Sequence, residues 1–220
     1  MRRTVAIMAM AAVAGLCLGE AGAAAPRPSF FQKSWQLDFL FHPLTPVRVQ
    51  VPGSQELQTF WYLRYEVANH SGKDQTFQPE MVMYTERGKV IPANWQAPHT
   101  VFLAIKQIHN DPLLRTPGAM TGKVLQGDDN AKRGVAIWPD FDARSGYADI
   151  FIGGLSGEVA EVTLPKPIPK KLTLPEGEKT ILKTKAVLFK TLHLRFKIAA
   201  EPGSRHLVTP VLVMSEWVMR

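Results

Sequence analysis

From Thr191 to Ile198 the chain alternates without a break: Leu192, Leu194, Phe196 and Ile198 fall on one side, and Thr191, His193, Arg195 and Lys197 on the other. A period of two is that of a strand with one face buried. Thr59 to Val67 repeats it, with Trp61, Leu63, Tyr65 and Val67 on one face and Arg64 and Glu66 on the other. Val47, Val49 and Val51 alternate with Arg48 and Gln50 between Pro46 and Pro52, as at an edge strand. Met81 to Thr85 and Val90-Ile91 flank Glu86-Arg87-Gly88-Lys89, which predicts a hairpin. Further strands are expected over Val135–Trp138, Tyr147–Ile152 and Val159–Leu164, and a last one within Leu207–Met219, where Pro210 marks an edge or a bulge.

Only Pro98 to Asn110 argues for helix, because Val101, Ile105 and Ile108 recur at spacings of four and three and Pro112 follows. Many short strands, polar turns and at most one short helix predict an all-β fold: an antiparallel, immunoglobulin-like β-sandwich of about nine to eleven strands. Two one-sided sheets bury their apolar faces against each other in that arrangement.

The first residues read as an address rather than a structure. Arg2 and Arg3 precede an apolar run from Val5 to Leu18, and Ala21-Gly22-Ala23 supplies small residues before a cut. This is the pattern of a secretory signal peptide over 1–23, and the run is shorter than the roughly 20 residues that span a bilayer. An exported protein, periplasmic or extracellular, with no transmembrane segment in its mature chain is expected. Cys17, the single cysteine, follows Leu16, where lipoprotein processing needs a small residue, and it lies in the leader. Residues 24–220 are therefore expected to fold as one sandwich domain without a disulfide.

Charge is concentrated in one quarter of the chain. The net charge is +7, and residues 166–220 alone hold 11 basic and 4 acidic residues, whereas 24–165 hold 13 and 14. Such a field attracts anionic partners. Export and the lack of a recognition module argue against nucleic acid. Leu164 to Lys171, with Pro165, Pro167 and Pro169, is expected to run extended over the surface without donating ladder hydrogen bonds, as a crossover or as a sub-boundary at 165–175.

Several phrases, Trp61-Tyr62-Leu63 through Tyr65, Val67, Asn69 and Ser71-Gly72, then Gly134 to Trp138, Phe151 to Ser156, Lys190-Thr191-Leu192 and Glu216-Trp217-Val218, resemble exported bacterial proteins with an immunoglobulin-like sandwich, of the planctomycete type. The resemblance implies export and the fold class, and carries no catalytic residues.

Candidate sites are few. Lys183 and Lys185 share parity on one expected strand, and His193, Arg195 and Lys197 on the next; paired, they would make one basic sheet face for an anionic envelope polymer or another envelope protein. Trp95, in Pro92-Ala93-Asn94-Trp95-Gln96, is the tryptophan expected in a loop and free to bind. Met81 and Met83 would offer thioethers to copper in an alternative, metal-handling reading. Ser156 lacks the glycine two residues later that a nucleophile elbow needs, since Glu158 stands there. Asp128-Asp129 and Asp140 with Asp142 lack the spacing of a calcium loop. A non-enzymatic binding or envelope-associated structural module without a cofactor is the function these residues predict.

Overall fold

The computed structural model describes residues 25–174, 177–198, 201 and 203–220. The leader expected over 1–23, with Cys17, lies outside the described residues. In chain order the strands are β1 (Asp38–Phe41), β2 (Thr45–Gln50), β3 (Leu57–Ala68), β4 (Gln75–Phe77), β5 (Glu80–Thr85), β6 (Val90–Pro92), β7 (Gly122–Val124), β8 (Lys132–Pro139), β9 (Tyr147–Gly153), β10 (Val159–Leu174), β11 (Gly177–Lys197) and β12 (Val211–Met219). Helix α1 (His99–Ile108) and the single turn α2 (Pro117–Met120) lie between β6 and β7.

Every strand pairing is antiparallel. In the first sheet β3 is central: β2 pairs with its residues 57–62, β1 with 65–68, and β8 with 60–67. The second sheet runs β6, β5, β9, β11, with β12 and β10 also paired to β11. Between the sheets lies one core, with Trp61, Leu63, Tyr65 and Val67 meeting Met81, Met83, Ile150, Ile152, Leu194 and Phe196. Each such fully buried side chain contributes about 1.5–3 kcal/mol. The all-β antiparallel sandwich expected from the alternation is the architecture observed.

A second, smaller core explains the unbroken run Phe60-Trp61-Tyr62-Leu63. Trp61 and Leu63 face the sandwich, while Phe60 and Tyr62 on the opposite face pack with Val101 and Ile105 of α1 and with Val135 and Ile137 of β8. The helix expected from Val101 and Ile105 thus covers the outer face of the first sheet. Of the three residues whose spacing predicted it, Val101 and Ile105 are buried and Ile108 is exposed.

Two local expectations about proline hold. Among the described residues, Pro46 lies in β2, which pairs only with β3, and Pro210 immediately precedes β12, which pairs only with β11. The Pro/Lys segment is different: instead of a surface crossover or a boundary, it is the outgoing strand of a long ribbon. β10 pairs with β11 from Val159↔Phe189 to Leu174↔Gly177, and Pro165 and Pro167 fall inside the register shift between Thr163 and Ile168. Proline is compatible with a strand where the ladder is interrupted or open at an edge, so the missing donors do not stop the pairing. The expectation of two short strands carrying the basic residues is likewise corrected, because β11 is continuous over 21 residues.

Gly134 stands directly across from Tyr65. A Cβ there would overlap Tyr65 Cζ, Oη and Cε2, and Tyr65 is buried in the core and has nowhere to move. Gly134→Ala is expected to cost about 1–3 kcal/mol by overpacking, read as a lower denaturation midpoint; unchanged stability would show that the ring can shift.

A second contact links β1 to the 3-10 turn Asp128–Asn130. His70 Nδ1 lies 2.5 Å from Asp38 Oδ2, and Nε2 lies 3.2 Å from Asp128 Oδ1. The hydrogen bond to Asp38, with the charges of Asp128 and Asp38, outweighs desolvation and raises the His70 pKa above its ordinary 6.5. The contribution is therefore complete below the unfolded value and lost as pH rises through the raised folded one. The melting-temperature gap between the native chain and His70→Gln is expected to be larger near about pH 5.5 than near about pH 8.5. Equal gaps would contradict the link.

Candidate functional site

Strand β11 belongs to two environments. Over 190–197 it is paired with β12 and, from 192, with β9; from 177 to 189 its partner is β10. Among the described residues no third strand joins this outer part. From Pro165 to Lys171 and from Thr180 to Lys185 every side chain is exposed. Over these residues the two-stranded ribbon is solvated on both faces, and its strand from Thr163 to Leu174 extends roughly 35–40 Å at about 3.3 Å per residue.

Cross-strand partners share a face. On the face of Lys183 and Lys185, Thr163 lies across from Lys185, Ile168 across from Lys183, and Lys170 across from Ile181. Lys166, Lys170 and Lys171 were not among the sequence candidates, because the prolines around them disguised β10 as a crossover. A usable signal was present: similar Lys and aliphatic runs on either side of Pro175-Glu176-Gly177 are the pattern of a hairpin. Over 166–185 the sequence holds six lysines and two glutamates. Lys185 Nζ pairs with Glu161 Oε1 at 2.5 Å near the base. Among the described residues, no carboxylate pairs with Lys166, Lys170 or Lys183.

His193, Arg195 and Lys197 lie on the same side of the same strand but in the sandwich. There His193 and Arg195 face carboxylates. His193 stacks on Phe151 with ring centroids 4.4 Å apart, its Nε2 is 2.8 Å from Asp149 Oδ1, and its Nδ1 is 3.5 Å from Glu216 Oε1. Arg195 Nε is 3.6 Å from the same Asp149 oxygen, and its guanidinium lies over Tyr147. Lys197 is exposed. Lys183 and Lys197 are thus separated by roughly 45 Å of strand at about 3.3 Å per residue. The five residues share a side without forming one compact patch, and Lys183 stands on the ribbon with Lys166 and Lys170, which among the described residues have no carboxylate partner.

The remaining candidates occupy separate places. Trp95 is 53% exposed in the loop before α1, between Asn94 and Gln96, both with φ of 61°. Met81 and Met83 are core residues facing the first sheet, and among the described residues no group of three or more His, Cys, Asp or Glu could hold a metal ion. Ser156 is buried just beyond the bend at 154–155, bridged antiparallel to Gln36 rather than lying in the turn expected there, its Oγ donating to Trp35 O and accepting from Glu158 N–H. Asp140 accepts from Trp61 Nε1, and Asp142 pairs with Arg87 and Arg144. Among the described residues no helix is long and apolar enough to cross a membrane.

The ribbon is anchored by a buried ion pair. Lys190 Nζ lies 3.2 Å from Glu158 Oε2, with each side chain 7% exposed, and the ammonium sits 5.1 Å from the centre of the Trp217 ring. Lys190 N–H also donates to Glu158 O, and Ser29 N–H to Glu158 Oε1. Burial disfavours the Glu158 carboxylate, but the Ser29 hydrogen bond and Lys190 outweigh it and lower its pKa. Beside this anchor opens a cleft of 790 Å³ bordered by Trp35, Glu80, Phe189 and Arg220. Comparison with protein-family models, curated proteins and solved structures finds no match for this chain.

Lys190→Met leaves the Glu158 charge buried and unpaired, and is expected to cost about 3–5 kcal/mol in unfolding free energy. Adding Glu158→Leu is expected to return most of that loss, because both desolvation penalties disappear together. A double variant no more stable than the single one would show that the pair is not coupled.

Proposed function

We propose that this protein is an exported, envelope-associated binding module that contacts an anionic partner through its β10–β11 ribbon. The observation that carries the reading is the ribbon itself: two strands exposed on both faces over 165–171 and 180–185, with Lys166, Lys170 and Lys183 beyond the last strand of the sandwich. The leader pattern over 1–23 supports export, and the C-terminal concentration of positive charge supports an anionic partner, an envelope polymer or the acidic surface of another envelope protein. Relative to the basic sheet face first expected, the contact surface shifts outward, because Asp149 and Glu216 already answer His193 and Arg195.

Lysines also protect open strand edges from pairing with other chains, so the test must separate the two roles. Lys→Glu keeps an edge charged while inverting its field. The native chain is expected to bind an anionic resin and to elute earlier as salt is raised. Lys166→Glu with Lys170→Glu and Lys183→Glu should abolish retention without aggregation, whereas Lys197→Glu should change it little. Full retention of the triple variant would overturn the reading.

A further inference from the structure

We infer that the partner of the ribbon is the surface of an anionic lipid bilayer, on which the face carrying Ile168, Lys170, Ile181 and Lys183 lies flat. This inference rests on the reading of the ribbon as a contact surface for anions and goes on to name the anion.

A two-stranded ribbon on its own is marginal in water, because three strands or a packed face are needed to offset the entropy of ordering it. Here the strands continue well past the sandwich, and among the described residues nothing covers either face over 165–171 and 180–185. The aliphatic side chains on this face are also placed against the usual logic of a solvated edge: Ile168 is 54% exposed, Ile181 38% and Phe189 54%. A cover that takes up aliphatic groups is what such a surface fits.

Charge decides between covers. A second copy would meet this one through a symmetric contact of like patches, setting lysine against lysine, which costs energy at short range. An anionic cover has no such penalty. A hydrated polyanion rewards the lysines but gains nothing from the aliphatics between them. A bilayer surface rewards both: the acyl boundary takes aliphatic side chains, and the phosphate layer above it takes the ammonium groups.

The register supplies the pattern. Ile168 lies across from Lys183, and two residues further on the order reverses, with Lys170 across from Ile181. Each isoleucine therefore has a lysine beside it both across the ribbon and along it. Lysine stems lie along apolar surface while their charged ends reach upward, so a flat contact can sink the two isoleucines and keep both ammonium groups at the headgroups. On the same side of β11, Val187 and Phe189 continue the apolar series to the foot of the ribbon.

The test uses the protein in the form its host accumulates, mixed with vesicles of phosphatidylcholine alone or with about 30% phosphatidylglycerol at about 0.1 M salt, and separated by sedimentation. The native chain is expected to sediment with the anionic vesicles only. Each lysine contact removed should weaken binding roughly fivefold, so the triple Lys→Glu variant should lose it by roughly 100-fold or more. Ile168→Thr with Ile181→Thr keeps β-branched side chains and the net charge; it should lower vesicle binding roughly tenfold while leaving anionic-resin retention unchanged. Resin retention without vesicle binding overturns the bilayer inference and leaves the anionic reading intact. Failure on both surfaces overturns both. Vesicle binding that ignores the isoleucine change, or resin retention that falls with it, also overturns the inference, because charge alone, or the ribbon's own integrity, would then account for the binding.

Discussion

The long strand β11 is held on both edges along its inner part and on one edge beyond Phe189, and that change of pairing organises the molecule. Where both edges are paired, Leu192, Leu194 and Phe196 point into the core and the sandwich closes around them. Where one edge is paired, neither face has a second layer, so side chains that would be buried in the sandwich meet solvent. One backbone element thus joins the two-layered sandwich to a two-stranded ribbon. At the junction Lys190 pairs with Glu158 and lies over Trp217, fixing the point where the inner environment stops.

Inside the sandwich, packing is decided by shape as much as by apolar character. Tyr65 fits because the residue across from it is glycine. Phe60 and Tyr62 fit because α1 crosses the outer face of the first sheet and gives them Val101 and Ile105 to pack against. At another margin Arg205 is buried over Trp61 and Phe141, and its guanidinium donates to the carbonyls of Phe141 and Asp142. Such a charge tolerates burial because aromatic faces and carbonyl oxygens replace its water.

The distribution of charge has the same origin as the pairing. On the sandwich, neighbouring strands bring Asp149 and Glu216 beside His193 and Arg195, so basic residues find carboxylates. On the ribbon each strand has one neighbour, and the neighbours there carry more lysines.

Much of the fold was legible in the sequence, since alternation is a local property: each strand needs only its own side chains to declare a buried face. The period of β3, the hairpin of β5 and β6, the spacing in α1 and the alternation of the inner part of β11 follow from residues close together in the chain. The loop position of Trp95 was legible for the same reason. What the tertiary structure alone decided was partnership. Whether Lys183 and His193 belong to one strand or two, whether the prolines of β10 mark a linker or an edge, and whether Arg195 is free or answered by Asp149 depend on which distant segments lie alongside. Edge pairing is chosen by contacts far apart in the chain, and no local period records it.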